Sequence, residues 1–226
     1  MLAVGFILGR VLYRYPTTAF DIVPRADFED AVQEIVTELD SKQNMFVAAA
    51  CISLGEIGRY GVIPSKNAKE DILKVIETAK DTKDTKTQEN ATAALGHIGV
   101  SNPESASDIL AFFYDFGPKS TKQTEVNFTI GEAIACIGAG WDCSAMDVHA
   151  DVADQEPPRS ATSSKAMDDI LNTILNDMAP SPKAVTKKAA CIWLLSLVKF
   201  CSGHESVKVN GATIASCAVI HVYGFA

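Results

Sequence analysis

Four apolar segments of the chain carry the same local pattern, in which a glycine stands between an aliphatic residue and a polar residue. They span residues 6–11, 52–57, 93–98 and 128–133. The shared glycines are 46, 41 and 35 residues apart, and they are Gly9, Gly55, Gly96 and Gly131. Self-similarity at such a spacing is typical of repeat proteins, so each segment is predicted to be the same element of a repeating unit.

A fifth segment, residues 190–195, copies the Ala-Cys-Ile triplet of residues 50–52. It has Leu195 in the glycine place, 64 residues after Gly131. Glycine inside a helix costs about 1 kcal/mol relative to alanine. We therefore expect the recurring glycines to have a packing role, because a residue without a Cβ lets one helix approach the next closely.

Amphipathic stretches separate the repeated segments, with apolar residues at helical spacing around Val32, Ile72, Ile109 and Ile170. Each unit is thus predicted to be two helices joined by a short turn. A two-helix unit of roughly 40 to 47 residues is typical of HEAT and armadillo repeats. The sequence therefore predicts an all-α fold, a right-handed α-solenoid of HEAT or armadillo-type helix pairs.

The predicted domain organisation is a HEAT-repeat solenoid over residues 1–209 and an atypical apolar tail over residues 210–226. The solenoid holds about five repeats, and the first has only its second helix. An acidic insertion, residues 141–164, accounts for the long interval before the fifth segment. Its aspartates and its Pro157-Pro158 pair leave no helical face, so we expect a mobile loop.

Charge and cysteine content narrow the function classes. A formal net charge of −8 disfavours nucleic acid as a partner, because phosphate binding needs clustered Lys and Arg. Six cysteines without a C-x-x-C pair disfavour a metal knuckle and fit a reducing compartment. Cys51 and Cys191 lie in apolar helical segments and are expected to behave as small buried hydrophobes. The apolar ends are too short to span a membrane, so no direct membrane insertion is expected.

The acidic insertion contains the best candidate metal ligands of the chain, Cys143, Asp147, His149, Asp151 and Asp154. Their spacing matches no recognised metal site, and nothing in the sequence would orient them. A solvated loop is the better interpretation.

Catalytic and other motifs also favour structural interpretations. His97 stands in the place that holds Glu56 and Glu132 in neighbouring units, so it is expected on an equivalent polar face, and His204 lies in a connection. Asn127 begins an Asn-x-Thr glycosylation acceptor, yet it falls on a predicted helix. Trp193 and Phe200 fit a core stripe, and Gly138 and Gly140 lack the last glycine of a dinucleotide fingerprint. We expect no enzyme activity, no catalytic, cofactor-binding or metal residues, and no cofactor.

Three blocks of the sequence are ACISLGEIGR at residues 50–59, FTIGEAI at 128–134 and AACIWLLSLV at 189–198. In this order they resemble the large HEAT-repeat family of proteasome adaptor and scaffold proteins. The resemblance covers roughly residues 2–209, and the sequence departs from the family after Lys208. Members of this family are many times longer than this chain.

The resemblance implies a non-catalytic scaffold or adaptor. It would bind the regulatory and core particles of the 26S proteasome and help to hold them together, or tether proteasomes to cellular sites. The implied location is the cytoplasm and nucleus, with pools at endoplasmic reticulum and endosomal membranes. The alternative is another HEAT-repeat scaffold, of the nuclear-transport receptor or phosphatase scaffold type. The repeat architecture alone is equally consistent with that function.

Overall fold

A computed structural model of the chain describes residues 2–15, 17–60, 67–81, 83–120, 123–146 and 164–223. Within these ranges the chain is all-α, as the sequence predicts, and has no β-strand. The α-helices of this part are α1 (Leu2–Arg14), α2 (Ala19–Ile22), α3 (Arg25–Thr37), α4 (Asn44–Gly58), α5 (Ala68–Asp81), α6 (Thr85–Ser101), α7 (Pro103–Lys119), α8 (Thr124–Ala139), α9 (Ser164–Asn172), α10 (Ala184–Cys201), α11 (Glu205–Val209) and α12 (Gly211–Tyr223). A π-helical turn, Thr173–Met178, extends α9.

The helices that carry the repeated segments form one layer, which we call the inner layer. Helix α1 packs on α4, α4 on α6, α6 on α8 and α8 on α10. The aliphatic residue that precedes the glycine place is buried in all of these helices, at Leu8, Leu54, Leu95, Ile130 and Leu194. The repeated segments thus supply one continuous apolar core.

The amphipathic stretches form a second layer, which we call the outer layer. Helix α3 packs on α4, α5 on α6, α7 on α6, α8 and α10, and α9 on α8. The centres of their apolar faces, Val32, Ile72, Ile109 and Ile170, are buried. Full burial of one such side chain contributes about 1.5–3 kcal/mol, so these faces fix each outer helix on the inner layer.

The predicted packing role of the recurring glycines is confirmed. A Cβ built on Gly55 would lie 2.8 Å from Ala94 Cα, and one built on Gly96 would lie 2.7 Å from Ala133 Cα. Carbon atoms attract each other best at about 3.5–4.0 Å, so neither place can accept a side chain without movement of the backbone. The inner helices approach closely because these positions lack a Cβ.

The junction between α6 and α7 also links neighbouring units. Pro103 is the first residue of α7, where its missing N–H is harmless. The Asn102 side chain does not cap α7, although its residue type favours that role. Its amide instead donates to the carbonyl of Ile98 at 2.8 Å and to that of Gly58 at 3.3 Å. This side chain therefore ties the end of α6 to the end of α4.

The start of the acidic insertion is ordered, whereas the sequence predicts a mobile loop. Residues 140–146 form two short 3₁₀ turns, Gly140–Asp142 and Ser144–Met146, in which Cys143 and Met146 are buried. The large apolar side chains of Trp141 and Met146 pack this part against the rest of the structure. The acidic composition of the insertion does not predict this packing. The remainder, residues 147–163, lies outside the described residues.

The predicted apolar tail contributes helix α12, which packs on α10 and buries Ile214. Among the described residues, no helix is both long and apolar enough to cross a membrane. The boundary between solenoid and tail at residue 209 stays a prediction.

Candidate binding surface on the inner helices

The inner layer leaves one stripe of each helix in contact with solvent. Neighbouring stripe residues are three, four or seven positions apart, as expected for a single helix face. They are Ala48, Ile52 and Glu56 on α4, Glu89, Ala93 and His97 on α6, Glu125, Phe128 and Glu132 on α8, and Lys188, Leu195 and Val198 on α10. We call this surface the inner face.

One row of the inner face is polar, as the repeat pattern predicts. Nδ1 of His97 lies 3.9 Å from Oε1 of Glu56, which confirms that the two residues occupy equivalent places on neighbouring helices. Burial lowers the pKa of His97 to about 3, and the charge of Arg59 adds to this shift. At neutral pH the contact therefore joins an uncharged ring to a carboxylate.

A buried arginine, Arg59, directly follows the last residue of α4. One guanidinium nitrogen, Nη1, lies 2.8 Å from Oε1 of Glu56, and Nη2 donates to the carbonyl of Met146 at 2.6 Å. A buried charge is tolerated only when it is paired and hydrogen-bonded. Arg59 therefore holds residues 140–146 against the inner layer.

Aromatic rings complete this junction. The guanidinium of Arg59 lies 5.3 Å from the ring centre of Trp141. The Trp141 ring lies 5.5 Å from that of Tyr60 and 6.3 Å from that of Tyr13, distances at which aromatic pairs attract each other. Residues 140–146 thus cover one end of the inner face and contact both α1 and α4.

The uncovered part of the inner face contains large apolar side chains on α8 and α10. Phe128, Leu195 and Val198 are 48%, 52% and 43% exposed, respectively. We call these three residues the apolar patch. Glu125 and Lys188 flank the patch and are also exposed. Apolar side chains rimmed by charged ones are typical of protein-binding surfaces, which places the best candidate site here.

A cleft of about 670 Å³ lies between the outer helices α7 and α9. Its polar lining includes Tyr114, Lys165, Asp169 and Thr173. Burial raises the pKa of Tyr114 to about 12, and its hydroxyl is hydrogen-bonded to Thr173. Among the described residues that line this cleft there is no histidine or cysteine. The cleft therefore holds a protonated phenol, not a nucleophile with an adjacent base.

The residues weighed as chemical candidates are dispersed in the structure. Cys143 is buried beside Cys136, whereas Asp147, His149, Asp151 and Asp154 lie outside the described residues. His204 caps the short helix α11, where its Nδ1 accepts from the Ser206 backbone N–H at 3.3 Å. In the described ranges, no group of three His, Cys, Asp or Glu side chains could hold a metal ion.

The glycosylation acceptor lies in the core. Asn127 is fully buried on α8, and its amide donates to the carbonyls of Gly117 and Ser120. A glycan could not be attached there in the folded chain. The prediction that Trp193 is a core residue is confirmed, because it is fully buried, while Phe200 is half-buried beneath the Lys199 ammonium.

Sequence reasoning did not identify Arg59 or Trp141 as key residues of the junction. Arg59 ends a conspicuous apolar segment, and Trp141 begins the acidic insertion. An isolated aromatic residue at the start of a polar stretch is a usable signal for local packing. The partner of that tryptophan, however, lies 82 positions earlier in the chain at Arg59, and no local pattern connects the two.

The chain is similar to the human proteasome adapter and scaffold protein ECM29. The two are 32% identical over an alignment of 241 positions, which covers 97% of this chain. The alignment therefore extends beyond Lys208 into the apolar tail, which corrects the expectation that the similarity ends after that residue. The chain spans 13% of the length of that curated relative. No protein-family model matches the chain, and no solved structure matches it. The similarity supports a relationship to part of a much longer adapter and scaffold protein.

Proposed function

We propose that the chain is a non-catalytic scaffold segment that binds the 26S proteasome. The observation that carries this proposal is the 32% identity to a proteasome adapter and scaffold protein, maintained over 97% of this chain. The all-α architecture agrees with it, because two layers of stacked helices build extended surfaces for protein partners.

The detailed form of the proposal has three parts. The helix pairs are right-handed HEAT-type repeats, and their role is to help hold the regulatory and core particles together or to tether proteasomes to cellular sites. The chain acts in the cytoplasm and nucleus, with pools at endoplasmic reticulum and endosomal membranes. No cofactor takes part.

Within this proposal the inner face supplies the contact, with the apolar patch at its centre. Binding energy in protein interfaces is concentrated in a few apolar or aromatic side chains that become desolvated. Phe128 and Leu195 are the largest such side chains on α8 and α10 that remain about half exposed.

Capture of purified particles tests the proposal. The tagged 226-residue chain is immobilised and presented separately with purified 26S proteasome, core particle and regulatory particle. We expect retention of at least one of these above a tag-only control. A chain that is folded by circular dichroism and retains none of them would overturn the proposed function.

A double substitution tests the surface. Phe128→Lys with Leu195→Lys should reduce retention at least about tenfold, since each lost anchor of an interface costs roughly 1–2 kcal/mol. Lysine is a good helix former, so the free energy of unfolding should change little. The matched control is Ile22→Lys, because Ile22 is 50% exposed but lies on α2. Equal losses in both variants would argue against the inner face.

A further inference from the structure

Three cysteine side chains from separate elements converge beneath residues 140–146. Cys136 lies in the last turns of α8, Cys143 between the two 3₁₀ turns, and Cys201 at the end of α10. The sulfur atoms of Cys136 and Cys143 are 3.9 Å apart. The Cys201 sulfur lies 3.7 Å from the carbonyl oxygen of Ala135, the residue before Cys136. All three are free thiols, so the cluster is in its reduced form.

The three thiols of the cluster are not equivalent, because the interactions among them shift the pKa of Cys143 in the opposite direction from the pKa of Cys136 and Cys201. Hydrogen bonds from the thiols of Cys136 and Cys201 lower the pKa of Cys143, and the backbone N–H groups of Ala145 and Met146 add to this shift. The same interactions raise the pKa of Cys136 and Cys201. Glu132 is the nearby carboxyl group, and burial raises its own pKa. Of the three thiols, Cys143 is therefore the one that loses its proton most readily.

The Cys143 sulfur lies just below the surface. Its flanking residues Asp142 and Ser144 are exposed, while Cys143 itself is buried. Ser144 donates to the carbonyl of Phe200 at 3.2 Å, which holds this turn to the end of α10. A small oxidant thus needs only a local opening of this turn to reach the sulfur.

We propose that Cys143 and Cys136 are a modification site, at which a peroxide converts the two thiols into a reversible disulfide. The Cys143 thiolate attacks one oxygen of hydrogen peroxide, the O–O bond breaks, and Cys143 becomes a sulfenic acid as hydroxide leaves. The Cys136 sulfur then attacks the Cys143 sulfur and displaces its hydroxyl group. The Cys136 proton leaves with that hydroxyl as water, and the hydroxide takes up the proton that Cys143 released when its thiolate formed. Overall, two thiols are oxidised to a disulfide and one peroxide is reduced to two waters.

The other cysteines provide internal comparisons. Cys51 is fully buried in α4, and burial raises its pKa to about 12. Cys191 lies on α10, where its sulfur is 4.0 Å from the carbonyl of Cys217, and burial raises its pKa as well. Thiols that stay protonated are poor nucleophiles toward peroxide. Oxidation by peroxide should therefore begin at Cys143, and Cys136, whose sulfur lies 3.9 Å away, is placed to form the disulfide with it.

Peroxide titration of the folded 226-residue chain tests the proposal. Remaining thiols are alkylated, and tryptic peptides are quantified by mass spectrometry. We expect a Cys136–Cys143 cross-linked product that lacks two hydrogens and reverts with a thiol reductant. Cys143 should react at least about tenfold faster than Cys51, the ratio that one unit of pKa difference gives in thiolate population. Equal rates at the two residues, or oxidation without this cross-link, would overturn the proposal.

Two variants identify the order of the steps. In Cys136→Ser the sulfenic acid of Cys143 has lost its partner, so a dimedone adduct should accumulate at Cys143. In Cys201→Ser the cross-link should still form. A Cys143–Cys201 disulfide as the main product in the unmodified chain would contradict the assignment of Cys136. The unmodified chain is decisive even if a variant fails to fold.

Discussion

The contact between α6 and α8 and the contact between α8 and α10 join equivalent helices with different residues. In the first, Gly96 faces Ala133, and a Cβ at Gly96 would lie 2.7 Å from Ala133 Cα. In the second, Gly131 faces Ser196, and a Cβ at Gly131 would lie 2.8 Å from Ser196 Cβ. Helix α10 itself has Leu195 in the glycine place, and that side chain is 52% exposed.

This difference shows that close approach depends on the face that a residue occupies. Position in the repeated pattern is not sufficient. One small residue on each side of a contact suffices, and α10 supplies Ser196 in place of glycine. The large buried side chain of α10 is Trp193, one turn before Ser196. It is fully buried, and its ring packs against Gly117 of α7. Helix α10 therefore combines a close contact with α8, where a Cβ on Gly131 would lie 3.3 Å from Trp193 Cα, with a large side chain that packs on α7.

Removal of the Trp193 ring should change the free energy of unfolding more than removal of any other contact in this comparison. Trp193→Ala leaves a cavity between α10 and α7 and should lower the free energy of unfolding by about 3–5 kcal/mol. Urea denaturation of the 226-residue chain measures the change. Trp193→Phe should cost much less, because the indole N–H has no hydrogen-bond partner among the described residues and phenylalanine keeps most of the apolar volume. Similar losses for the two variants would contradict a packing role.

The glycine contact should be less costly to disturb but still sensitive. Gly96→Ala adds one methyl group against the Ala133 backbone and should destabilise the chain by about 1–3 kcal/mol, despite the better helix propensity of alanine. Gly203→Ala is the matched control, since a Cβ there meets nothing within 4 Å. Its free energy of unfolding should stay within about 0.5 kcal/mol of the original. Stabilisation by Gly96→Ala would show that the helices separate easily.

The repeated pattern predicts the packing of α4, α6 and α8 well because these helices obey one local rule. The aliphatic residue is buried, the glycine lies at a helix contact and the polar residue lies on the inner face, as at Leu95, Gly96 and His97. The rule repeats because each helix meets the same kind of neighbour. Periodicity alone therefore locates the core, the inner layer and the polar row.

The same reasoning fails where a contact is made once. Arg59 meets the carbonyl of Met146 across 87 positions of sequence, and Trp141 reaches back to Tyr13 on α1. These contacts depend on the path of residues 140–146 across the ends of several helices. No repeat supports them, so an acidic composition predicts a loop where the structure has packed turns. The sequence does not predict the thiol cluster for the same reason, since Cys143 is 7 positions from Cys136 and 58 positions from Cys201.

The residue that follows the glycine position also differs between α6 and α10, and this difference should make the stability depend on pH. His97 follows Gly96, whereas Ser196 follows Leu195 and does not titrate. Because the pKa of folded His97 is lowered to about 3, the unfolded chain takes up a proton below about pH 6.5 that the folded chain does not. Stability should therefore fall as the pH is lowered from 6.5 to 5, by at most about 1–2 kcal/mol from this residue.

Urea denaturation at pH 7 and pH 5 measures this loss, and His97→Asn identifies its source. Asparagine cannot titrate, so the variant should lose less stability between the two pH values than the original chain. Ser196→Ala should leave the pH dependence as it is. An identical pH dependence for the His97→Asn variant would assign the acid sensitivity to other groups.

The smallest effect is expected at Leu195, which gives the most direct contrast with Gly96. The two residues hold the same place in the repeated pattern, yet Leu195 faces solvent and Gly96 faces a backbone. Leu195→Ala should change the free energy of unfolding by less than about 0.5 kcal/mol. The adjacent Leu194 is buried, so Leu194→Ala should cost about 2–5 kcal/mol with the same change of side chain. If the two alanine variants lose similar stability, α10 is rotated relative to the orientation described, and the apolar patch loses Leu195 as a surface residue.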